Sequence, residues 1–283
     1  EFRRVLFRSR YSGQRLTTAA EEKALHVASL GRALKACSLQ GLDQNWVSCF
    51  GFRPEQAEQL LQDWVKAEPL LSWWSGCRLG EVTRRGDRII SLVVEHDAAR
   101  HRLEAKQWID GSDLGDLIAQ AEAPFRWGWE SRETWNEPSA PPLADLETDS
   151  FFSQQPVQSP TWVAMGQLNG VGPVAGPCDP PAPPFEAALN AFGLERTITY
   201  GRLPGDLVML NWPLHGNDWH HGLDRAFTTE GSAESGLFLE MREHSRRFAE
   251  ALIEVSNGWL SLGEAFPSDS GSPGPAFAAM PYW

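Results

Sequence analysis

Apolar residues recur at helical spacing in three segments of the chain, residues 19–38, 54–66 and 237–255. A repeat of three to four residues places apolar side chains on one face of a helix, so each segment is predicted to form an amphipathic helix. In the second segment, Pro54 suits the first turn of a helix and Pro69 ends it. The predicted apolar face of the third helix comprises Leu237, Met241, Phe248, Leu252 and Val255.

After Pro69 the pattern changes to short apolar runs that are rich in Val, Ile, Leu and Trp. Such runs, bounded by turn residues, are typical of β-strands. Turn signals at Arg85-Gly86-Asp87 and at Asp97-Ala-Ala predict that consecutive strands are joined by tight turns into a β-meander. The predicted strands are residues 70–74, 78–83, 88–95, 101–109, 161–168, 197–200 and 207–211.

The run Asp110-Gly-Ser-Asp-Leu-Gly-Asp116 follows one of these strands and opens a short helix that is predicted to extend through residues 117–121. A strand, a tight turn with glycine and a helix N-terminus in that order can face a phosphate or a cofactor. The same residues also match an ordinary helix cap, in which Asp and Ser side chains hold the first turn. The residues by themselves leave both interpretations open.

The composition is that of a folded, acidic protein. The chain has 283 residues, of which 42% are hydrophobic and 22% are charged, and these values exclude wholesale disorder. The net charge of −12 argues against a broad nucleic-acid surface, because phosphate binding needs clustered Lys and Arg. No run of about 18 apolar residues is present, so no transmembrane helix is predicted. The 4 cysteines lack the CxxC spacing of zinc ribbons and iron–sulfur sites.

Prolines are concentrated in residues 138–184, which hold 11 of the 20 in the chain. Because proline interrupts helices and sheets, this stretch is predicted to be irregular and to connect two structural units. Residues 1–9 carry three arginines without a structural pattern and resemble the translation of a sequencing adapter. We therefore expect them to be an artefactual tail and the chain to be a fragment of a longer protein.

The densest group of polar side chains lies in residues 211–224 and comprises His215, Asn217, Asp218, His220, His221 and Asp224. One interpretation is a metal site, because imidazoles and carboxylates are common zinc and iron ligands. The histidine spacing matches no familiar metal motif, so we expect no bound metal. A second interpretation is a substrate-binding loop in which Gly216 allows a tight turn. A third is an Asx turn with solvated histidines, and the residues do not choose between the last two.

The 13 tryptophans suggest a different chemistry. Trp127, Trp129 and Trp135 alternate with charged residues and could form a platform on which a sugar stacks. Glu130 and Glu137 would then be candidates for the paired carboxylates of glycoside hydrolysis. Tryptophan is also a large core residue that needs one hydrogen-bond acceptor, and the core interpretation is favoured.

Two motifs resemble those of a known family. The first runs from Trp108 through Ile-Asp-Gly-Ser-Asp-Leu-Gly to Asp116, and the second from Pro124 through Phe-Arg-Trp-Gly-Trp to Glu130. They are similar to motifs of FAD-dependent oxidoreductases of the glutathione-reductase-like superfold, which read hydrophobic-Ile-Asp-Ala-Thr, then Gly-Asp-Leu, then Pro-(Phe/Tyr)-Arg-x-Gly-x-Glu. The segments 45–55 and 215–219 also resemble that family, and the likeness extends over residues 40–283.

The resemblance implies an α/β fold, with a partial FAD/NAD(P)-binding, Rossmann-like domain that contains the β-meander and an inserted α+β substrate domain. We expect the first domain to span residues 10–135 and the second residues 136–260. The segment 261–283 would begin the return to the FAD-binding domain.

The resemblance also implies function. The expected cofactor is FAD, and the expected reaction is hydride transfer between FAD and a small organic substrate. We expect neither a nucleic-acid partner nor a membrane span, and the oligomeric state is left open. The flavin would carry the redox chemistry. The residues expected to line the cofactor are Leu79, Gly111, Ser112 and Asp116, and those expected to face the substrate or the flavin edge are His215, Asn217 and Asp218. His215 is the best candidate for a general base, because an unperturbed imidazole titrates near neutral pH.

The sequence departs from the family pattern at two points. Asp113 stands where a glycine is common, and a Gly-x-Gly-x-x-Gly turn is missing from the whole chain. In this superfold the backbone N–H groups after that glycine turn hold the pyrophosphate of the dinucleotide. We therefore expect this chain, as given, to bind FAD weakly.

Overall fold

The computed structural model describes residues 52–112, 114–170, 172, 185–212, 216–227, 236–267 and 274–281. The predicted helix over residues 19–38 lies outside these ranges. The first helix that the structure describes is α1, Pro54–Ala67, and it confirms the prediction made from the apolar stripe. Its first residue is the proline, whose fixed φ and missing N–H suit a helix start.

A three-stranded antiparallel meander follows α1. Its strands are β1, Arg78–Arg85, β2, Arg88–His96, and β3, Ala99–Leu103, in the order β1-β2-β3. Asp97 and Ala98 both have positive φ, of 49° and 59°, as expected for a two-residue turn whose twist matches that of the flanking strands. The meander and both of its turns are therefore confirmed.

Of the strands predicted around this meander, the one over residues 70–74 is wrong and the one over residues 101–109 is wrong in part. Residues 70–74 have no strand pairing in the structure, and the strand predicted over residues 101–109 is the shorter β3. Both stretches contain apolar residues, but no strand among the ranges described pairs with residues 70–74 or 104–109. An apolar run forms a strand only where a partner satisfies its backbone hydrogen bonds.

Four short helices follow the meander: α2, Asp116–Gln120, α3, Arg132–Trp135, α4, Leu143–Thr148, and α5, Ser150–Gln154. The helix α2 confirms the one predicted after the glycine-containing turn. The two last helices lie inside the proline-rich stretch that was predicted to be irregular. The helix α4 begins after Pro142. The helix α5 begins after Asp149, whose side chain accepts a hydrogen bond from the Phe151 N–H and so caps the helix.

A second antiparallel sheet has the strand order β5-β6-β4-β7. Its strands are β4, Ala164–Leu168, β5, Arg202–Leu203, β6, Leu207–Leu210, and β7, Leu260–Leu262. Gly166 lies at the centre of the sheet, where an added Cβ would come within 2.6 Å of the Leu260 side chain and 2.8 Å of the Val208 side chain. The strands predicted over residues 161–168 and 207–211 are confirmed, the first with a later start.

Helices surround this second sheet: α6, Glu186–Phe192, α7, Leu194–Ile198, and the long helix α8, Leu237–Val255. Residues 197–200 were predicted as a strand and are instead the end of α7 and a 3-10 turn. Their apolar run is short, and a short apolar run is ambiguous between strand and helix. The Thr197 N–H and hydroxyl both donate to the Gly193 carbonyl, at 3.1 and 2.8 Å, so the hydrogen bonds of this run are local, as in a helix.

The helix α8 confirms the prediction over residues 237–255. The five residues of its predicted apolar face, Leu237, Met241, Phe248, Leu252 and Val255, are all buried. Leu237, Met241, Phe248 and Leu252 belong to the clusters of buried apolar residues that form the core, and the buried members of these clusters all lie between residues 162 and 278. Among the described residues from 52 to 155, by contrast, only Ser91, Leu92, Ala121 and Ser131 are buried. The main core of the described structure is therefore that of the second sheet and α8.

The predicted combination of helices and sheets is confirmed in outline. Every strand pair among the residues described is antiparallel, and the two sheets share no strand. The parallel sheet expected of a Rossmann-like domain is not among them, and the domain boundaries at residues 135 and 260 stay predictions. None of the helices described has the length and apolar character needed to cross a membrane.

Two leucines of α8 provide a matched test of this core. Leu252 is 1% exposed and Leu239 is 71% exposed. We expect Leu252→Ala to lower the free energy of unfolding by about 2–5 kcal/mol, because it leaves a cavity in the core. Leu239→Ala should change that free energy by less than about 0.5 kcal/mol. Urea unfolding followed by circular dichroism measures both, and equal losses in the two variants would contradict the placement of α8.

Candidate functional site

The sequence motif before α2 forms a compact turn around one carboxylate. We call residues 110–112 and 114–116 the Asp110 turn. Asp110 Oδ1 accepts hydrogen bonds from the Ser112 backbone N–H at 2.9 Å and from the Ser112 hydroxyl at 2.6 Å. Asp110 Oδ2 accepts from the backbone N–H groups of Leu117 and Ile118 at 3.0 and 3.1 Å. One side chain therefore joins the end of the meander segment to the first turn of α2.

The remaining N-terminal amide of α2 is also paired. The Asp116 N–H donates to the Ser112 hydroxyl oxygen at 2.8 Å. The first three amides of α2 thus all donate to side chains of the protein, as in the helix-cap interpretation of this motif. The arrangement that would face a phosphate needs those N–H groups to point at the ligand.

These hydrogen bonds control the charge of Asp110. Partial desolvation opposes ionisation, but the donors from Ser112, Ile118 and Leu117 together stabilise the carboxylate and hold the pKa of Asp110 below its ordinary value of 3.8. Asp110 is therefore ionised throughout the neutral range. A negative charge at the N-terminus of α2 is also favoured by the helix dipole.

A second group of polar side chains lies in residues 216–221, which we call the Gly216 loop. Asn217 in this loop is only 1% exposed. Its amide oxygen accepts from the Trp212 N–H at 2.8 Å, and its amide nitrogen donates to the Leu210 carbonyl at 2.8 Å and to the Trp162 carbonyl at 3.3 Å. The side chain predicted to face the substrate is thus turned into the protein.

Two neighbouring residues of α8 hold two neighbouring residues of the loop. The ring Nε2 of His244 lies 2.9 Å from the Gly216 carbonyl oxygen, and the Ser245 hydroxyl lies 3.3 Å from the Asn217 amide nitrogen. The backbone passes so close to Trp212 at Gly216 that any Cβ there would collide with the Trp212 carbonyl. The glycine predicted to allow a tight turn is therefore required by this close approach.

His244 was missed by the reasoning from sequence. The signal was present, because His244 follows Met241 by three residues and precedes Phe248 by four. This spacing places it beside the buried face of α8. A titratable residue at such a position is a candidate for a functional site.

The Asp110 turn and the Gly216 loop meet at one group of apolar side chains. Its buried members are Trp162, Ala226, Leu237 and Met241, which we call the junction cluster. Leu114 of the turn and Trp219 of the loop both pack against this cluster. The structure therefore brings together the two segments from which the site residues were predicted.

The individual predicted residues occupy different settings. Gly111 is exposed, Ser112 is half-buried, and Asp116 is exposed at the first position of α2. Leu79 is half-buried in β1, opposite Val94 of β2. The strand β1 approaches α2 through Arg84, whose guanidinium donates to the Ala121 carbonyl. The roles predicted for these residues in binding a cofactor stay predictions.

The predicted catalytic residues also occupy different settings. Asp218 is half-buried, and it forms an isolated bridge to Thr161. His215 lies outside the described residues. The catalytic roles of His215, Asn217 and Asp218 also stay predictions.

The histidines of the loop form an aromatic pair. The rings of His220 and His221 lie 4.1 Å apart, and the indole N–H of Trp219 donates to the His221 carbonyl at 2.6 Å. Within the part of the chain that the structure describes, no three His, Cys, Asp or Glu side chains are grouped as metal ligands would be. The expected absence of metal stays a prediction.

The tryptophan-rich segment borders an open cleft of about 440 Å³. Arg126 lies over the Trp135 ring at 4.1 Å and pairs with Glu130 at 2.7 Å. The hydrogen bonds from Arg126 and Trp135 hold the pKa of Glu130 below its ordinary value. A carboxyl group with a lowered pKa is a poor general acid, since glycoside hydrolysis needs one whose pKa is raised. This cleft does not favour the carbohydrate interpretation.

Comparison with known proteins decides the family. A model of the family described as FAD dependent oxidoreductase matches residues 11–271. The chain belongs to the FAD-dependent oxidoreductase family. This match confirms the resemblance stated from the motifs, and with it FAD as the cofactor. No curated protein and no solved structure matches the chain significantly.

The residues described do not by themselves fit the pyrophosphate of FAD. The amides of Asp116, Leu117 and Ile118 are already hydrogen-bonded within the Asp110 turn. The sequence has no Gly-x-Gly-x-x-Gly turn that could supply other amides at a helix N-terminus. These three amides of the Asp110 turn are therefore committed to side chains of the protein.

The pKa of Asp110 gives a test of the turn. A group whose pKa is lowered on folding contributes stability that is present above its unfolded pKa and is lost as the pH falls through the folded value. We expect the amide resonances of Ser112, Leu117 and Ile118 to titrate together with a midpoint below 3.8. Nuclear magnetic resonance over the acid range measures the midpoint.

The matched control for this titration is Asp110→Asn. The variant keeps an acceptor oxygen but has no ionisable group, so the three amides should no longer shift together. A common midpoint that persists in the variant would show that another carboxylate causes the titration.

Proposed function

We propose that this chain forms the substrate side, and part of the cofactor side, of an enzyme that transfers hydride equivalents between a small organic molecule and FAD. The observation that carries the proposal is the packing of Leu114 and Trp219 against the same junction cluster. Because of this packing, the family motif and the polar loop lie on one region of the molecule. The flavin, when bound, would supply the redox chemistry.

On the cofactor side, we assign supporting roles to Leu79, Gly111, Ser112 and Asp116. Gly111 is exposed, and an added Cβ would meet no atom within 4 Å there, so its backbone is open to a ligand. Ser112 acts through the turn, since its hydroxyl joins Asp110 to the Asp116 N–H. These residues would shape the surface beside the cofactor, while its phosphates would need other amides.

On the substrate side, we assign the general base to His215 and a polar contact to Asp218. Asp218 follows a stretch of backbone that is held against α8 at Gly216 and Asn217, and His215 directly precedes Gly216 in the sequence. Asn217 contributes by fixing that backbone, because all of its amide hydrogen bonds go to protein atoms. An imidazole that titrates near neutral pH can accept a proton from a hydroxyl or amine as hydride leaves the neighbouring carbon.

The partner we propose is a small organic substrate. The net charge of −12 disfavours a nucleic acid as a partner. The pKa of Glu130, in the cleft beside Trp129, is lowered by the Arg126 and Trp135 side chains, which disfavours Glu130 as the general acid of sugar hydrolysis.

The first prediction from this proposal concerns affinity. The full chain should be colourless when purified, because it lacks the glycine turn that holds the pyrophosphate. Each lost charge-assisted hydrogen bond costs about 1.5–3 kcal/mol, so several together weaken binding by orders of magnitude. Flavin absorbance of the purified protein and a fluorescence titration with FAD measure this. A yellow protein with stoichiometric FAD would show that the phosphate site has been misplaced.

The second prediction maps the site under weak binding. Excess FAD added to the ¹⁵N-labelled full chain should shift the amide resonances of Gly111, Ser112 and Asp116 and those of the Gly216 loop. Both sets belong to segments that pack on the junction cluster.

Two controls make the mapping specific. Adenosine monophosphate tests whether the adenine part of the ligand is sufficient, and a disaccharide tests the carbohydrate alternative. Shifts confined to residues 126–141 with the disaccharide, and none at the Asp110 turn with FAD, would overturn the proposal.

A further inference from the structure

The strongest uncommitted feature is the imidazole of His244. It lies in the middle of α8, and its Nε2 is 2.9 Å from the Gly216 carbonyl oxygen. A carbonyl oxygen can only accept a hydrogen bond, so Nε2 carries the hydrogen. In the neutral ring Nδ1 is therefore unprotonated, and the tautomer is set by the Gly216 loop itself.

Aromatic side chains enclose this ring. The Phe185 ring lies 5.3 Å away and the Trp219 ring 5.4 Å away, centroid to centroid. Trp219 belongs to the Gly216 loop and also packs against the junction cluster. His244 thus contacts the loop twice, through the backbone at Gly216 and through the face of Trp219.

The charges around the ring come from two elements. Burial lowers the pKa of His244 below its ordinary value of 6.5; the Gly216 carbonyl and Asp218 oppose this, and His221 and Arg247 add to it. Asp218 and His221 are in the loop, and Arg247 is on α8. At neutral pH the ring is neutral and remains a donor to Gly216.

We propose that His244 is a positioning residue for the proposed reaction, which fixes the Gly216 carbonyl and thereby the loop backbone that carries Asp218. The effect of His244 on the reaction rests on the proposed function, whereas its effect on the Gly216 loop does not. Without the ring, the Gly216 carbonyl loses its donor and Trp219 loses one of its packing partners. The backbone on either side of Gly216 would then sample other conformations.

Three variants separate positioning from simple packing. His244→Phe keeps an aromatic ring of similar size but removes the donor. His244→Gln keeps an N–H group at the position of Nε2 but removes the titration. His101→Phe makes the same substitution in the first sheet, where His101 contacts Trp74, and serves as the control.

The first measurement is amide hydrogen exchange of Gly216, Asn217 and Trp219 in the full chain, without any ligand. We expect exchange to be about tenfold faster in His244→Phe, which corresponds to the loss of about one hydrogen bond. Exchange in His244→Gln and His101→Phe should remain close to that of the unchanged protein. Unchanged loop exchange in His244→Phe would overturn the inference, provided that α8 amides such as Phe248 are equally protected.

The second measurement is the pH profile. Ring ¹⁵N shifts should report a protonated Nε2 at neutral pH and a His244 midpoint below 6.5, with the loop amides shifting at the same midpoint. Because the pKa is lowered on folding, the stability that His244 contributes is present above about pH 6.5 and is lost as the pH falls through the folded value. The loop titration should vanish in His244→Gln, and its persistence there, or a ring protonated at Nδ1, would contradict the inference.

The outcome is separable from that of the proposed function. If the loop loosens as expected but FAD shifts no residue of the Asp110 turn, His244 is a positioning residue of a loop whose function is different. If FAD maps to both segments and the loop is unaffected in His244→Phe, the function stands and the inference on His244 is wrong.

Discussion

The buried hydrogen-bond network around Asn217 is the constraint on which the rest of the described structure depends. Asn217 and Ser245 are 1% and 0% exposed, and both donate to the Trp162 carbonyl, at 3.3 and 2.5 Å. Asn217 also binds the backbone of Leu210 and Trp212, at the end of β6. Polar groups buried so completely are tolerated only if every partner is in place, since each unpaired group costs about 1–3 kcal/mol. The network therefore sets how α8, the second sheet and the Gly216 loop fit together.

The same arrangement explains why the two candidate halves of the site meet. Trp162 offers its carbonyl to the network, and its side chain belongs to the junction cluster, while its indole N–H donates to the Ala278 carbonyl at 2.8 Å. Leu114 reaches this cluster from the Asp110 turn. The turn is rigid, because one carboxylate ties Ser112 to the amides of α2. The family motif, which resembles a cofactor-binding turn, thus also caps α2 and packs against the second part of the chain.

The two halves of the described chain are stabilised by different interactions. The core lies around β4, β6 and α8, whereas the meander and the helices α2 to α5 bury few side chains and leave Leu70 and Ile109 more than nine-tenths exposed. The first half therefore depends more on local hydrogen bonds, such as those of Asp110, than on packing. Changes to such local bonds should be felt there mostly in the turn itself, whereas changes in α8 should affect the global stability.

The sequence by itself determined the features that short-range patterns encode. These are the bounds of α8, the proline at the start of α1 and the tight turns of the meander. The motif between Trp108 and Asp116 also identified the family. What only the tertiary structure decided is what depends on distant partners. Residues 197–200 became helical, residues 70–74 found no strand to pair with, Asn217 turned inward, and His244 joined the loop. Periodicity and turn chemistry act over a few residues, so they are legible along the chain. Burial and hydrogen-bond pairing join residues up to 116 positions apart, as Trp162 and Ala278 are, and only folding brings those groups together.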